Sequence, residues 1–178
     1  MKLKVAALTL IVFSGASFAD STNTVQFKGE VTSQTCSVDI NGNKTNPIVL
    51  LPTVPASAFT SVGSTTGDTE FTVNVTGCTS ESTDQQIQTV FVGNNPTSNG
   101  NLGNGGTASN VSIQLLDNGN SSAPLTFANG TTVATSDMTL AAGNTSTSQT
   151  LTARYYAEAA GVTAGSVIAT AQYAISYK

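Results

Sequence analysis

The stretch that decides the fold is V-I-A-T-A-Q-Y-A-I-S-Y, which occupies positions 167 to 177, directly before Lys178. Every second residue is apolar or small, a period of two that predicts a β-strand with one face turned to a core. Thr170, Gln172 and Ser176 lie on the opposite face. The core-facing set consists of Val167, Ala169, Ala171, Tyr173, Ile175 and Tyr177.

The same period recurs through the rest of the chain. Further strands are predicted at Phe71 to Val75, Ile87 to Val92, Val111 to Leu116 and Leu151 to Tyr156, with a short apolar strand at Pro47 to Leu51. Turn residues separate them, and the Gly- and Asn-rich Gly93 to Gly106 is predicted to be an exposed loop. Because no amphipathic helical stretch exceeds a turn or two, we expect an all-β, antiparallel sandwich of immunoglobulin-like type.

The amino-acid composition argues against most classes of enzyme and metal site. The chain has 178 residues, of which 6 are basic and 10 acidic, with no His and no Trp. So few Lys and Arg argue against nucleic acid as a partner. The absence of His removes Ser-His-Asp catalysis and nearly every zinc site. Asp39 to Asn43 resembles a calcium loop but lacks its spacing, since Leu50 stands where the bidentate Glu belongs. We therefore expect no enzyme activity, no cofactor and no metal.

The first 19 residues are predicted to be a signal peptide. Lys2 and Lys4 precede a short apolar core, Val5 to Phe13, and Ser17 and Ala19 place small residues where a signal peptidase cuts. A membrane span needs about 20 apolar residues, and this run is shorter. The mature chain, which would begin at Asp20, is expected to be exported without a membrane span.

Export decides how the two cysteines are interpreted. Cys36 and Cys78 are the only ones in the sequence. In an oxidising compartment such a pair most simply forms one disulfide, with two buried free thiols as the alternative.

Together these features resemble a chaperone–usher pilin, closest to the major subunits of type 1 fimbriae. The resemblance rests on the signal peptide, V-Q-F-K-G-E-V (Val25 to Val31), Cys36, V-T-G-C ending at Cys78, A-R-Y-Y-A (Ala153 to Ala157) and the penultimate Tyr177. Each motif is short, and their order and spacing make the likeness specific.

The resemblance implies an incomplete immunoglobulin-like sandwich that lacks its last strand, over residues 31–178. A donor-strand extension over residues 20–30 would fill the hydrophobic groove of a neighbouring subunit beside Val167 to Tyr177. Val25 and Phe27 would enter the groove, and Gly29 would sit where no side chain fits. Gly29 could instead be a bulge or turn glycine, and Val25 and Phe27 could complete their own sandwich in cis.

The function implied is that of a structural subunit of a surface fimbria, which polymerises head to tail to build a fibre used in cell adhesion. Identical or related pilin subunits, a periplasmic chaperone and an outer-membrane usher are the implied partners. In that family the penultimate residue, here Tyr177, belongs to the segment that the chaperone grips, although it could also be plain core. The alternative is a monomeric exported sandwich that binds glycan or protein.

Overall fold

The computed structural model describes residues 36–178, and β-strands dominate this part of the chain. Two short 3-10 turns, Ala56–Ala58 and Asn118–Asn120, are its helical elements. The strands, in chain order, are β1 (Ser37–Ile40), β2 (Thr65–Thr76), β3 (Gln85–Gly93), β4 (Leu102–Gly103), β5 (Val111–Asp117), β6 (Ala123–Pro124), β7 (Val133–Ala134), β8 (Met138–Leu140), β9 (Ser146–Ala157) and β10 (Ala171–Tyr177). Within the described residues, no helix is long and apolar enough to cross a membrane.

The strands form two antiparallel sheets. One sheet has the order β1-β2-β9-β5-β4, with β6 also paired to β5. The other has the order β10-β3-β7, with β8 also paired to β3. Thus β1 ends the first sheet and β10 ends the second, and each is paired on one side only among the described strands. Two antiparallel sheets sharing one apolar core are the predicted all-β sandwich.

The core forms because the two longest strands alternate as their sequences predict. Phe71 and Val73 of β2 are buried, and Leu151 and Ala153 of β9 pack beside them. Phe91 of β3 closes the same cluster from the second sheet. A second cluster gathers Val75, Cys78, Ile87, Met138 and Leu140. The strands predicted at Phe71 to Val75, Ile87 to Val92, Val111 to Leu116 and Leu151 to Tyr156 are confirmed.

Three sequence predictions need correction. Residues 47–51 form no strand. The final strand begins at Ala171 and not at Val167, because residues 166 and 168 bond to the loop 105–108 and not to β3. The segment 93–106 is not simply an exposed loop, since it contains β4 and buries Asn101 and Leu102. In each case the local alternation or composition was read correctly. The structure is decided, however, by the segment with which these residues pair or pack, and that segment is distant in sequence.

The disulfide predicted from export is present. Cys36 and Cys78 are bonded, with their Cα atoms 4.1 Å apart. It joins the chain just before β1 to the chain just after β2, where Ser37 pairs with Thr76. The bond therefore fastens the terminal strand of the first sheet to its neighbour.

Candidate functional site

The candidate site is the side of the sandwich that β1 and β10 share. Val38 of β1 and Tyr173 of β10 both pack, half-buried, against the larger core cluster. Asp39 is close enough to Tyr173 for its charge to act on the phenol. Since each strand lacks a second neighbour among the described strands, the core between them is covered only partly on this side.

The six predicted groove residues lie on one face of the chain's last segment. Each is half-buried and packs against a core cluster, whereas Ile168, Thr170, Gln172 and Ala174 between them are exposed. We call these six residues the apolar strip: Val167, Ala169, Ala171, Tyr173, Ile175 and Tyr177. Their shared face is observed, while their role as an acceptor stays a prediction.

The opposite wall was missed by the sequence analysis as part of a site. Val49 and Leu51 are half-buried and pack against the same cluster as Val167 and Tyr173. Ile48 and Leu50, between them, point outwards and are 81% and 84% exposed. Residues 47–51 therefore alternate like a strand, although no strand of the described part of the chain pairs with them. The P-I-V-L-L alternation was the available signal.

A cavity of about 450 Å³ lies at the Val167 end of the apolar strip. Val54, Phe59, Tyr155 and Val167 supply much of its apolar lining. The Tyr155 hydroxyl donates to the Pro52 carbonyl oxygen at 3.1 Å, and its ring meets that of Phe59 edge to face at 6.5 Å. Burial raises the pKa of Tyr155, so its hydroxyl remains a donor at neutral pH. Tyr155 thus fixes the wall formed by residues 52–59.

Tyr173 stands near the middle of the apolar strip. Its ring lies 6.4 Å from that of Phe91 in a tilted contact. Burial and then the charge of Asp39 raise the pKa of Tyr173, so the phenol stays neutral. An apolar ring with an uncharged hydroxyl is suited to contact another hydrophobic segment.

Asn104 anchors the start of the strip to a loop. Its Oδ1 accepts from the backbone N–H of Ile168 at 2.8 Å and of Gly106 at 2.7 Å, and its Nδ2 donates to the Ala108 carbonyl at 2.7 Å. Gly105 N–H donates to Ile168 O at 2.7 Å beside it. These bonds replace the ladder that β3 no longer offers there, and no local sequence pattern marks them.

Glu158 organises the polar side of that loop. Burial alone would raise the pKa of Glu158, but donors on Asn101, Ser112, Asn99 and Thr97 outweigh burial and hold the pKa below its ordinary value. Asn101 and Asn99 donate at 2.9 and 2.6 Å. The ionised carboxylate therefore fastens the loop before β4 against β5.

The predicted donor residues lie outside the part of the chain that the structure describes. Val25, Phe27 and Gly29 all precede residue 36, where the description begins. Their roles, and the boundaries 1–19, 20–30 and 31–178, remain predictions.

Comparison with known proteins identifies the family of this chain. Residues 25–178 match the model of a family described as fimbrial protein. The chain belongs to the fimbrial protein family. A type-1 fimbrial protein subunit of Serratia marcescens is 32% identical over 99% of this chain and 97% of its own. The major fimbrial subunit SMF-1 of Stenotrophomonas maltophilia is 32% identical over 86% of this chain and 91% of its own.

Solved structures agree with the fold. A Burkholderia pseudomallei antigen and type I fimbria protein is 27% identical, with a TM-score of 0.56, over 82% of this chain and all of its own. The P pilus rod subunit PapA has a TM-score of 0.60 at 17% identity, over 80% of this chain and 99% of its own, and so supports the fold alone. This fimbrial protein is a structural subunit of a cell-surface pilus, and the monomeric binding module is not favoured.

Proposed function

We propose that this fimbrial subunit polymerises by donor-strand exchange, with the apolar strip as the acceptor. The single observation that carries the proposal is that β10, beside half-buried apolar residues, pairs on one side only among the described strands. An edge strand over an incompletely covered core is a template for another strand. The wall at Val49 and Leu51 supplies the second boundary that such a strand would need.

The donor is residues 20–30 of a neighbouring copy. Its eleven residues, fully extended, span about 36 Å, enough to cross a sandwich. Val25 and Phe27 alternate with Gln26 and Lys28, so both apolar side chains would face the core of the acceptor. Gly29 falls on the same face, where the absence of a Cβ permits close approach of the two backbones. Head-to-tail addition of this kind does not close and builds a fibre.

Transport follows from the same chemistry. An uncovered apolar strip is an aggregation hazard, so a subunit in transit requires a temporary cover. We assign that cover to a periplasmic chaperone, which would grip the end of β10 around Tyr177, and the exchange to an outer-membrane usher. The signal peptide at residues 1–19 would deliver the chain to this route. The role is structural, and the fibre, used in cell adhesion, is its product.

Deleting residues 20–30 from the mature chain tests the exchange. We expect full loss of head-to-tail polymers, because the donor is gone while the acceptor remains. Gly29→Leu should reduce polymer length strongly, while Gln26→Leu, on the opposite face, is the matched control. Polymers are counted as a detergent-resistant ladder on a gel.

Fusion of a copy of Asp20 to Val31 behind Lys178 through a short linker separates donor-strand exchange from completion in cis. Donor-strand exchange predicts that the fused chain is a stable monomer and that the unfused chain is not. If the unfused mature chain is already a stable monomer at low concentration, the proposal is wrong.

A further inference from the structure

The chain contains five Asn-Gly dipeptides, and all of them lie in the part that the structure describes. An asparagine side chain is most open to attack by the next residue when that residue is glycine, which has no side chain to shield its backbone nitrogen. The five asparagines are Asn41, Asn99, Asn104, Asn118 and Asn129. The sequence alone does not separate them, whereas the structure does.

Loss of the side-chain amide from such a dipeptide proceeds in two steps. The glycine N–H first loses its proton, and its nitrogen attacks the asparagine Cγ, so that a C–N bond forms and Nδ2 leaves as ammonia. Water then opens the resulting succinimide ring at either carbonyl, which gives aspartate or isoaspartate. Water is consumed and ammonia released, with no oxidant or reductant. A hydrogen bond that holds the glycine N–H or the asparagine side chain opposes the reaction, because it must break first.

Four of the five dipeptides are held at both groups. The Asn41 Oδ1 accepts from the Thr72 N–H at 2.8 Å. The Gly42 N–H donates to the Asp39 Oδ1 at 2.7 Å. The other three asparagine side chains also have partners, which are Glu158 for Asn99, Ile168 for Asn104 and Thr152 for Asn118. The glycine N–H groups that follow them donate to Thr97 O from Gly100, to Ile168 O from Gly105 and to Asp117 Oδ1 from Gly119.

Asn129 and Gly130 lack both restraints. Neither the Asn129 side chain nor the Gly130 N–H makes a hydrogen bond to a residue that the structure describes. Both residues are exposed, in a turn closed by the Thr131 N–H, which donates to Ala128 O at 3.2 Å. Gly130 has a φ of +69°, and apart from its chain neighbours no heavy atom lies within 4 Å of the place of a Cβ. The side chain of Asn129 therefore has room to approach the Gly130 nitrogen.

We propose that Asn129 is a site of spontaneous deamidation and that the fold protects the other four asparagines. Each event replaces a neutral amide by a carboxylate, and so adds a negative charge to a chain that is already acidic. The turn leads into β7, which β3 separates from β10 in the second sheet. The charge therefore accumulates with age at the edge of that sheet away from the apolar strip. This inference does not depend on the proposed polymerisation.

Peptide mapping by mass spectrometry tests the site. The mature protein, purified from the producing cells in its native state of assembly, is incubated at mildly alkaline pH, and conversion of each asparagine is followed with time. We expect Asn129 to convert about tenfold faster than any of the other four, because hydrogen bonds at both groups must break in those. In guanidinium chloride, with unfolding checked by circular dichroism, the five rates should become similar, because the protecting bonds are gone.

Gly130→Ala supplies a variant and Gly143→Ala its matched control. A methyl group on residue 130 hinders the attacking nitrogen, so conversion of Asn129 should fall about tenfold. Gly143 also lies in a turn, with a φ of +81° and open space at its Cβ position. Its substitution brings comparable backbone strain and should leave the conversion of Asn129 unchanged.

The results decide the proposal in either direction. It is overturned if Asn129 keeps its amide, if another of the five converts as fast in the folded protein, or if Gly130→Ala converts at the unaltered rate. A lead of Asn129 that persists after unfolding would assign it to the local sequence, and so would overturn protection by the fold. Loss of the lead on unfolding, with slower conversion in Gly130→Ala alone, supports both parts.

Discussion

Strands β9 and β10 carry the same alternating pattern but differ in how fully it is buried. Leu151 of β9 is 0% exposed, because β9 lies between β2 and β5. Ile175 of β10 is only half-buried, because β10 has one neighbour, β3, among the described strands. Alternation thus fixes which face turns inwards, while the number of neighbouring strands fixes how well that face is covered. In the proposed polymerisation, the closed side supplies stability and the open side receives the donor strand.

Removing the disulfide, which links the open side to the closed side, should cause the largest loss of stability. It ties β1, the terminal strand on the open side, to β2 in the closed interior. Replacing Cys36 and Cys78 by Ala should lower the free energy of unfolding by about 4 kcal/mol, from the chain entropy of a loop of this length. Urea denaturation of the fused chain measures it.

The control for the disulfide is the unaltered fused chain under reducing conditions, which should match the double variant. If the double variant keeps its full stability, β1 is held by its pairing with β2 alone.

The closed and open sides are compared directly by Leu151→Ala and Ile175→Ala. We expect Leu151→Ala to cost about 3 kcal/mol, since a fully buried side chain leaves a cavity that cannot collapse. Ile175→Ala should lower the free energy of unfolding of the fused chain by about 1 kcal/mol less than Leu151→Ala does.

Urea denaturation of both variants in the fused chain supplies the data. Equal losses for Leu151→Ala and Ile175→Ala would contradict the difference between β9 and β10.

The sequence could predict the faces of the strands but not their partners. Ile87 to Val92 and Leu151 to Tyr156 follow the pattern because local alternation and β-propensity agree with the fold. Pro47 to Leu51 alternates equally well and still forms no strand, because no strand of the described residues pairs with it. Alternation in the sequence indicates which side chains are buried, whereas a strand also requires backbone hydrogen bonds to a neighbouring strand.

The polar half of the molecule was the least predictable. Asn101 is buried because Glu158, distant in sequence, accepts a hydrogen bond from its side chain. Asn104 is placed by Ile168 and Gly106. A segment rich in Gly and Asn is typical of an exposed loop, so nothing local distinguished these two residues from their neighbours. Only the resemblance to pilins pointed to the open side as a site.

Glu158 makes the stability of the loop before β4 depend on pH. Its pKa is lowered in the folded chain, so its stabilising contribution is complete above the ordinary value of 4.5 and is lost as pH falls through the folded value. Glu158→Gln should lower the free energy of unfolding by about 2 kcal/mol at neutral pH, because hydrogen bonds to a charged acceptor are lost.

Urea denaturation at several pH values, with Glu70→Gln as the control at an exposed carboxylate, distinguishes the carboxylates. The stability of Glu158→Gln should fall less between neutral and acidic pH than that of the unaltered chain. Identical pH profiles would show that Glu158 is not the group responsible.

Tyr155→Phe is the smallest change and tests the wall of the cavity. It removes the hydrogen bond from the hydroxyl to Pro52 O and keeps the ring contact with Phe59. We expect a loss of about 1 kcal/mol in the free energy of unfolding, typical of one hydrogen bond at a partly exposed site. Tyr156→Phe, on the next position of β9, is the matched control.

The more informative readout of Tyr155→Phe is assembly. Residues 53–56 and Phe59 line the cavity at the Val167 end of the strip, so a loosened wall should slow the entry of a donor strand into the open side. A peptide copying residues 20–31 and carrying a fluorophore would report that rate on the full chain. Slower entry in Tyr155→Phe than in Tyr156→Phe, at nearly equal stability, would show that the open side depends on its wall as well as on β10. Equal rates would confine the acceptor to β10.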